Sequence, residues 1–91
     1  MREISYHKRA VKYLQRMPVD RKEQIKAALA QIASLEDPLT DPNVKSMSGN
    51  WESCQRLRIG SYRAIYRLVE QDGLSCLEVL HVGTRGDVYK G

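Results

Sequence analysis

Polar and apolar residues alternate strictly on both sides of a Gly60-Ser61 pair in the second half of the chain. Because successive side chains of a strand point to opposite faces, this pattern predicts two strands joined by a tight turn. Arg56 and Arg58 share one face of the first strand, and Arg63 and Arg67 share one face of the second. The opposite face of the second strand carries Tyr62, Ala64, Tyr66 and Leu68. The hairpin therefore gathers guanidinium groups, whose planar fork matches a phosphate, on a surface suited to a polyanion.

Upstream of the hairpin, apolar residues recur at intervals of three and four, which predicts two helices. A short first strand runs from Arg2 to Tyr6, and Pro18 ends the first helix because it disfavours helical geometry in the residue before it. Asp20 and Glu23 have the spacing of a capping box at the start of the second helix. The predicted apolar faces are Ala10, Tyr13, Leu14 and Met17 in the first helix, and Ile25, Ala28, Leu29 and Ile32 in the second.

Residues 35–50 contain two prolines and several Asp, Ser and Thr residues, which predict a loop with some order around residues 44–47. Three strands follow, at about 54–59, 62–69 and 74–82, with turns at Gly60-Ser61 and Gln71-Asp72-Gly73. The connections are too short for a crossover helix, so these strands form an antiparallel meander. The expected fold is a single α+β domain over residues 1–91, in the order β-α-α-β-β-β. Its N-terminal short strand and helical hairpin pack on one face of a small antiparallel sheet.

Composition narrows the function only slightly. The 15 lysines and arginines exceed the 11 aspartates and glutamates, which gives a net charge of +4. This charge favours a nucleic acid or an acidic protein as a partner without deciding between them.

The two cysteines, Cys54 and Cys76, fall in predicted strands and are expected to be reduced core thiols, with no zinc-binding spacing. The N-terminus has no apolar signal region and no run is long enough to span a bilayer, so a cytoplasmic protein is expected.

Two phrases in the second half of the chain carry a family resemblance. The sequences RLRIGSYRAIYRL and HVGTRGDVYK resemble toxins of the RelE/ParE superfamily from bacterial type II toxin–antitoxin pairs. The hallmark is a basic strand, a turn, a Tyr-Arg-x-x-Tyr strand, a Gly-x-Arg end and an acidic-Val-Tyr element. The matching residues are Arg56, Leu57 and Arg58, then Tyr62, Arg63 and Tyr66, then Gly83 and Arg85, and finally Asp87, Val88 and Tyr89. With the helical hairpin included, the resemblance covers essentially the whole chain.

The resemblance implies a RelE-like mRNA interferase, which is an endoribonuclease that cuts mRNA in the ribosomal A site and so inhibits translation. Such enzymes use the 2′-hydroxyl of the RNA as the nucleophile, leave a cyclic phosphate and need no metal or other cofactor. The implied partners are a cognate antitoxin, in a toxin–antitoxin hetero-oligomer, and the ribosome with its 16S rRNA and A-site mRNA; no membrane is involved. One alternative is a ParE-type toxin that poisons DNA gyrase without nuclease activity. Another is a non-catalytic nucleic-acid-binding domain.

The same resemblance assigns catalytic roles by motif position. Arg63 and Arg85 would stabilise charge on the phosphate, Arg56 and Arg58 would hold RNA and assist proton transfer, and Tyr89 would stack on a base or orient the 2′-hydroxyl. RelE itself has lysines where Arg56 and Arg58 stand, and arginine is a poor base. His81 joins the predicted catalytic residues because imidazole titrates near neutral pH, and Tyr89 is the other candidate base.

A wider set of cations is predicted to hold RNA through its backbone. It consists of Lys8, Arg9, Lys12, Arg16, Lys22, Lys26, Arg67 and Lys90. Each prediction has a simpler structural reading: the cations could be solvated surface residues, and His81 could be a packing residue. Trp51 could pack against the sheet edge or, if exposed, stack on a base.

Overall fold

The two alternating segments form adjacent inner strands of the five-stranded sheet that the described residues build. The structure is a computed structural model that describes residues 2–84, apart from the side chain of Asn50. Its elements in chain order are β1 (Glu3–Tyr6), α1 (Lys8–Gln15), α2 (Val19–Ala33), β2 (Val44–Ser46), β3 (Gln55–Ile59), β4 (Tyr62–Gln71) and β5 (Leu74–Thr84). Single 3₁₀ turns lie at Pro38–Thr40 and Gly49–Trp51. The spatial order of the strands is β1-β5-β4-β3-β2.

The helices cover one face of this sheet, as predicted. Apolar residues of α1 and α2, including Ala10, Leu14, Leu29 and Ile32, join the apolar residues on the facing side of the sheet in a single buried cluster. The sheet contributes Val44, Leu57, Ile59, Ala64, Tyr66, Leu77, Val79 and Val82. Neither helix among the described residues is long and apolar enough to cross a membrane. The α+β architecture is confirmed, and its helix-free face carries the arginines.

The sheet is not wholly antiparallel, because β1 runs parallel to β5. Ile4 pairs with Leu77 and Tyr6 with Val79 in this register. The His7 amide, just beyond β1, donates to the Val79 carbonyl at 2.8 Å. A tight hairpin forces antiparallel pairing, but a strand separated from its neighbour by two helices can pair in either direction. The antiparallel meander predicted for β3–β5 is confirmed, and the N-terminal strand, whose pairing direction was not predicted, joins the sheet parallel to β5.

The two tight turns follow the residues that the sequence offers. Gly60 has φ +59° at the first position of the two-residue β3–β4 loop, where a type II′ turn requires glycine. Asp72 and Gly73 both have positive φ, of 53° and 78°, as a type I′ turn requires. Because a two-residue loop fixes the pairing of both strands, these turns set the register across the middle of the sheet.

Two local predictions need correction. The second helix begins before the proposed capping box: Pro18 is its N-cap, and the Lys22 amide donates to the Pro18 carbonyl at 3.0 Å. Asp20 therefore lies in the first helical turn, where a negative charge complements the helix dipole. The region predicted as a loop contains β2, whose Val44 pairs with Leu57 of β3. This short edge strand adds a further strand before the predicted meander.

Candidate nucleic-acid interface

The register of the strands arranges the side chains of the helix-free face in rows. Lys45, Arg56, Ile65 and His81 are cross-strand partners in one row that spans β2, β3, β4 and β5. In the next row, Arg58 lies directly opposite Arg63, whose partner in β5 is Gly83. The prediction that Arg56, Arg58 and Arg63 share a surface is consistent with this register. We call the two rows the basic face.

A β-bulge in β5 brings His81 to the basic face. Tyr66 pairs with Val79, whereas the adjacent Ile65 pairs with His81, so Leu80 is an extra residue in β5. Strict alternation from Leu77 and Val79, which lie in the core, would have pointed His81 toward the helices. The inserted residue reverses the parity and aligns His81 with Ile65 and Arg56.

The arginines of the basic face retain hydrogen-bonding capacity. Arg58 is exposed, whereas Arg56 and Arg63 are half-buried. Arg63 donates from Nη1 to the Tyr62 carbonyl at 3.3 Å. The Nε atoms of Arg56 and Arg63 are buried without a hydrogen-bond partner, and neither Arg56 nor Arg58 forms an ion pair within residues 2–84. Uncompensated guanidinium groups of this kind are suited to bind an anionic ligand.

Arg67 differs from these arginines although it lies on the same face of β4. Its Nε donates to Glu78 Oε1 of β5 at 2.5 Å, in a pair where the side chains are 53% and 30% exposed. Surface pairs of this kind contribute at most about 1 kcal/mol. Glu78 offsets the Arg67 charge, so the predicted RNA-binding role of Arg67 has less support here than that of Arg58.

Trp51 lies over the basic face rather than against the sheet edge. Together with Met47 and Leu80 it packs around the buried side chains of Cys54 and Ile65. The Trp51 and His81 rings meet edge to face, with centroids 6.2 Å apart and an interplanar angle of 80°. His81 is only 9% exposed, and its Nδ1 is buried without a hydrogen-bond partner. A buried imidazole therefore lies beside the arginines with one nitrogen unsatisfied.

The first helix contributes some of the predicted RNA-binding cations to the same region. Arg9, Lys12 and Arg16 line a groove of about 240 Å³ together with Tyr13, His81 and Val82. Lys8 is exposed on α1, whereas Lys22 and Lys26 lie on α2 and are not among the residues that line this groove. Arg85, Tyr89 and Lys90 lie outside the described residues. The structure thus gathers three of the eight predicted cations, Arg9, Lys12 and Arg16, around His81.

Cys54 and Tyr66 are the neighbouring titratable groups with altered acidity. Burial raises the pKa of the Cys54 thiol, an effect that the Arg67 charge partly opposes, so Cys54 remains a protonated packing residue. Burial also raises the pKa of Tyr66, whose hydroxyl donates to Gln55 Oε1 at 2.6 Å on the core side of the sheet. Neither group is placed to act on a ligand of the basic face. Within residues 2–84, no three His, Cys, Asp or Glu side chains come together as a metal site.

Comparison with known families decides the class of protein. A family model for the ParE toxin of the type II toxin–antitoxin system parDE matches residues 4–89. The chain belongs to this toxin family. The resemblance to the RelE/ParE superfamily is thereby confirmed, and it extends over nearly the whole chain. No curated protein is significantly similar to this toxin in sequence.

Solved structures of related toxins share the fold. The toxin is similar to a chain of the RelE–RelB complex from Pyrococcus horikoshii OT3, with 24% identity, 93% of this chain and 96% of the other covered, and a TM-score of 0.71. It is 22% identical to a chain of the intact E. coli RelBE toxin–antitoxin complex, with 92% of this chain and 96% of the other covered and a TM-score of 0.68. It is 15% identical to the YoeB/ParE toxin from Agrobacterium tumefaciens, with 91% of this chain and 98% of the other covered and a TM-score of 0.67. At these identities, the similarity establishes the fold.

Two residues at the site, Lys45 on the basic face and Trp51 above it, were not among the predicted site residues. Lys45 was missed because β2 has only three residues, and Val44-Lys45-Ser46, one apolar residue followed by two polar ones, is too short to show the alternation of a strand. Trp51 was considered for base stacking but not assigned to the site, because its position depends on a 3₁₀ turn that folds over the sheet. Both residues lie close to Arg56, with which they line a common groove.

Proposed function

We propose that this toxin is a RelE-like mRNA interferase, which cuts mRNA in the ribosomal A site without a metal. The observation that carries the proposal is the arrangement of Arg56, Arg58 and Arg63 on one face, with no acidic partner for Arg56 or Arg58 among the described residues. Phosphate recognition requires cations with free donors, and the transition state of phosphoryl transfer adds negative charge that such donors stabilise.

The proposed reaction is an internal displacement at phosphorus. The RNA 2′-oxygen attacks the adjacent phosphorus, and its proton is removed. The bond from phosphorus to the 5′-oxygen breaks, a 2′,3′-cyclic phosphate forms, and the departing 5′-oxygen receives a proton. Arg63 and Arg85 are assigned to the charge on the phosphorane, and Arg56 and Arg58 to holding the strand. Removing and returning the proton requires a further group.

His81 and Tyr89 are the two groups proposed for this proton transfer. His81 lies in the same row as Arg56, and its Nδ1 has no partner among the described residues. A proton acceptor must reach the 2′-hydroxyl within hydrogen-bonding distance, and apo geometry commonly tightens only when the substrate is bound. We therefore expect His81→Ala to lower cleavage more than Arg67→Ala does; equal effects would make His81 a packing residue.

A gyrase poison is the second candidate function. The matching family model is described as a ParE toxin, and Arg56 and Arg58 stand where RelE itself has lysines. A binding-only toxin would use the basic face as a contact surface and would not need a proton acceptor. This alternative predicts no RNA cleavage and a graded effect of each charge removed from the face.

Primer extension on a reporter mRNA separates the two functions. Purified toxin is incubated with the mRNA, with and without programmed ribosomes, and DNA supercoiling by gyrase is followed in parallel. We expect cuts only with ribosomes, and their loss in Arg63→Ala and Arg85→Ala. Arg67→Ala is the matched control, since Arg67 lies on the same face of β4 as Arg63 but is paired with Glu78. Inhibition of gyrase without translation-dependent cuts would overturn the nuclease proposal.

The toxin's activity is proposed to be held in check by a cognate antitoxin. The neighbouring structures from Pyrococcus horikoshii and E. coli are complexes of a RelE toxin with a RelB antitoxin. An antitoxin segment that covers the basic face would neutralise Arg56 and Arg58 and block access to RNA. Co-purification of the toxin with the product of an adjacent gene, and loss of ribosome-dependent cuts in that complex, would support this regulation.

A further inference from the structure

A groove on the basic face combines an aromatic ring with two cations. It has a volume of about 320 Å³ and is lined by Lys45, Ser46, Met47, Ser48, Trp51 and Arg56. Its volume is at the low end of the range for small-molecule sites. Arg56 Nε is buried here without a hydrogen-bond partner, and neither Lys45 nor Arg56 forms an ion pair within residues 2–84. The groove therefore offers an apolar ring and unneutralised positive charge side by side.

The segment that carries Trp51 is tied to the sheet. The Trp51 carbonyl accepts from the Cys54 amide at 3.0 Å, and the Met47 amide donates to the Cys54 carbonyl at 3.0 Å. On its inner side the indole packs in the cluster around Ile65 and meets the His81 ring. The ring is thus held in place before any ligand arrives, which lowers the entropic cost of binding on it.

Positive charge continues beyond Trp51 in the direction of α1. Trp51 also lines a second groove, of about 210 Å³, together with His7, Arg9 and Leu80. Arg9 in turn lines the groove that Lys12, Arg16 and His81 share. Trp51 therefore lies between cations on both sides. Sites for single-stranded nucleic acid combine these two features, a basic track for the backbone and aromatic rings for the bases.

We propose that the groove between Lys45, Arg56 and Trp51 binds one unpaired nucleotide of the RNA, with its base stacked on the Trp51 indole. The phosphates that flank this base lie beside Lys45 and Arg56. The inference rests on the proposed function insofar as the bound strand is the mRNA. Because Arg56 belongs both to this groove and to the row of His81, the stacked nucleotide is a neighbour of the scissile phosphate. Trp51 is therefore a positioning residue that selects the place of cleavage.

Binding of a short RNA tests this subsite without the ribosome. The probe is a hexanucleotide with 2′-O-methyl groups throughout, which prevents 2′-oxygen attack, and Trp51, the only tryptophan in the sequence, reports stacking through its fluorescence. We expect quenching by the intact probe and little quenching by the same backbone made entirely of abasic residues. Equal quenching by the two probes would overturn the subsite, and this comparison involves no change to the protein.

Variants separate stacking from charge. Trp51→Ala is expected to weaken binding of a labelled probe at least about fivefold, as loss of one base–aromatic stack does, and Trp51→Phe to keep most of the affinity. Trp51→Ala leaves the salt dependence of binding unchanged, whereas Lys45→Gln reduces the slope of log K against log salt by about 0.7. Leu74→Ala is the control, because Leu74 is apolar, 65% exposed and located at the β4–β5 turn. If Trp51→Phe bound the probe as weakly as Trp51→Ala, the proposed stacking on the Trp51 ring would be wrong.

Cleavage assays distinguish failure of the subsite from failure of the proposed function. If wild-type toxin cuts mRNA on ribosomes and Trp51→Ala cuts the same positions at the same rates, the nuclease stands and the subsite falls. If wild-type toxin makes no cuts but the intact probe quenches Trp51 and the abasic probe does not, the subsite stands and the nuclease falls. With both correct, Trp51→Ala changes the distribution of cut positions, and Trp51→Phe restores it.

Discussion

The Arg58–Arg63 pair predicts that the basic face reduces the stability of the toxin. The two residues are direct cross-strand partners on β3 and β4. Arg58 is exposed, and Arg63 is half-buried and fixed through its bond to the Tyr62 carbonyl at 3.3 Å. Like charges directly opposite each other destabilise an antiparallel pair. Replacing Arg58 with the neutral Gln should therefore raise the free energy of unfolding.

The size of this effect follows from the pairing geometry. The Cβ atoms of directly opposite residues are about 5 Å apart, and for two arginines that extend from these positions we take a charge separation of about 7 Å. Two unit charges at that distance repel by about 0.6 kcal/mol at the dielectric constant of water. Since one guanidinium is exposed, this solvent-screened value applies. For a domain of this size, about 0.6 kcal/mol corresponds to a rise in Tm of about 2–5 °C.

Urea unfolding at low and high salt measures this effect. Arg58→Gln is expected to be more stable than wild type at low salt and equal to it at 1 M salt, where the Debye length is about 3 Å. Arg67→Gln is the matched control: it removes a guanidinium from the same face but breaks the attractive pair with Glu78, so stability stays equal or falls. A gain in Arg58→Gln that persists at 1 M salt, or no gain at low salt, would refute the electrostatic reasoning.

Two further predictions concern buried groups on the sheet. Tyr66→Phe removes the hydroxyl that donates to Gln55, so the free energy of unfolding should fall by about 1 kcal/mol at pH 8. Because burial raises the pKa of Tyr66 in the folded state, its stabilisation is complete below about pH 10, the pKa of tyrosine in the unfolded chain, and is lost as the pH rises further. The urea midpoints of wild type and Tyr66→Phe should therefore differ at pH 8 and converge at pH 11. An equal difference at both pH values would contradict this reasoning. Cys54 is buried and its pKa is raised, whereas Cys76 is half-buried near the Ser5 hydroxyl. A thiol reagent should therefore modify Cys76 before Cys54. If the remaining thiol of Cys76→Ser still reacted as fast as the first thiol of wild type, this order would be wrong.

Local sequence was sufficient for the parts of the fold that short-range rules determine. Alternation around Gly60 predicted which residues of β3 and β4 face the helices, and burial of Leu57, Ala64 and Tyr66 confirms it. The Asp72-Gly73 turn was equally readable, since a type I′ turn needs positive φ at both positions. In each case, the residues that determine the conformation lie within a few positions of one another.

The remaining features of the basic face depend on distant pairings. β2 is only three residues long, and it forms a strand because Val44 pairs with Leu57 of β3, beyond an intervening 3₁₀ turn. The bulge at Leu80 allows both halves of β5 to pair with β4, and no residue type in the sequence indicates its position. Trp51 reaches the face only because its turn folds back over Ile65. Pattern analysis treats each segment alone, so it could not place these residues.

The packing of the helices on the core face accounts for how a small domain can support an unfavourable charge arrangement on the opposite face. The helices bury the core face, and that packing gives the stability from which the Arg58–Arg63 repulsion subtracts. On the opposite face, Trp51, Ile65 and Cys54 form a second apolar cluster in the middle of the cations. This cluster provides the buried surroundings in which His81 lies and keeps the Trp51 ring beside Arg56. If the basic face had evolved only for solubility, neither a buried histidine nor a fixed indole would be expected among its arginines; both are expected at a site that holds a base and a phosphate together.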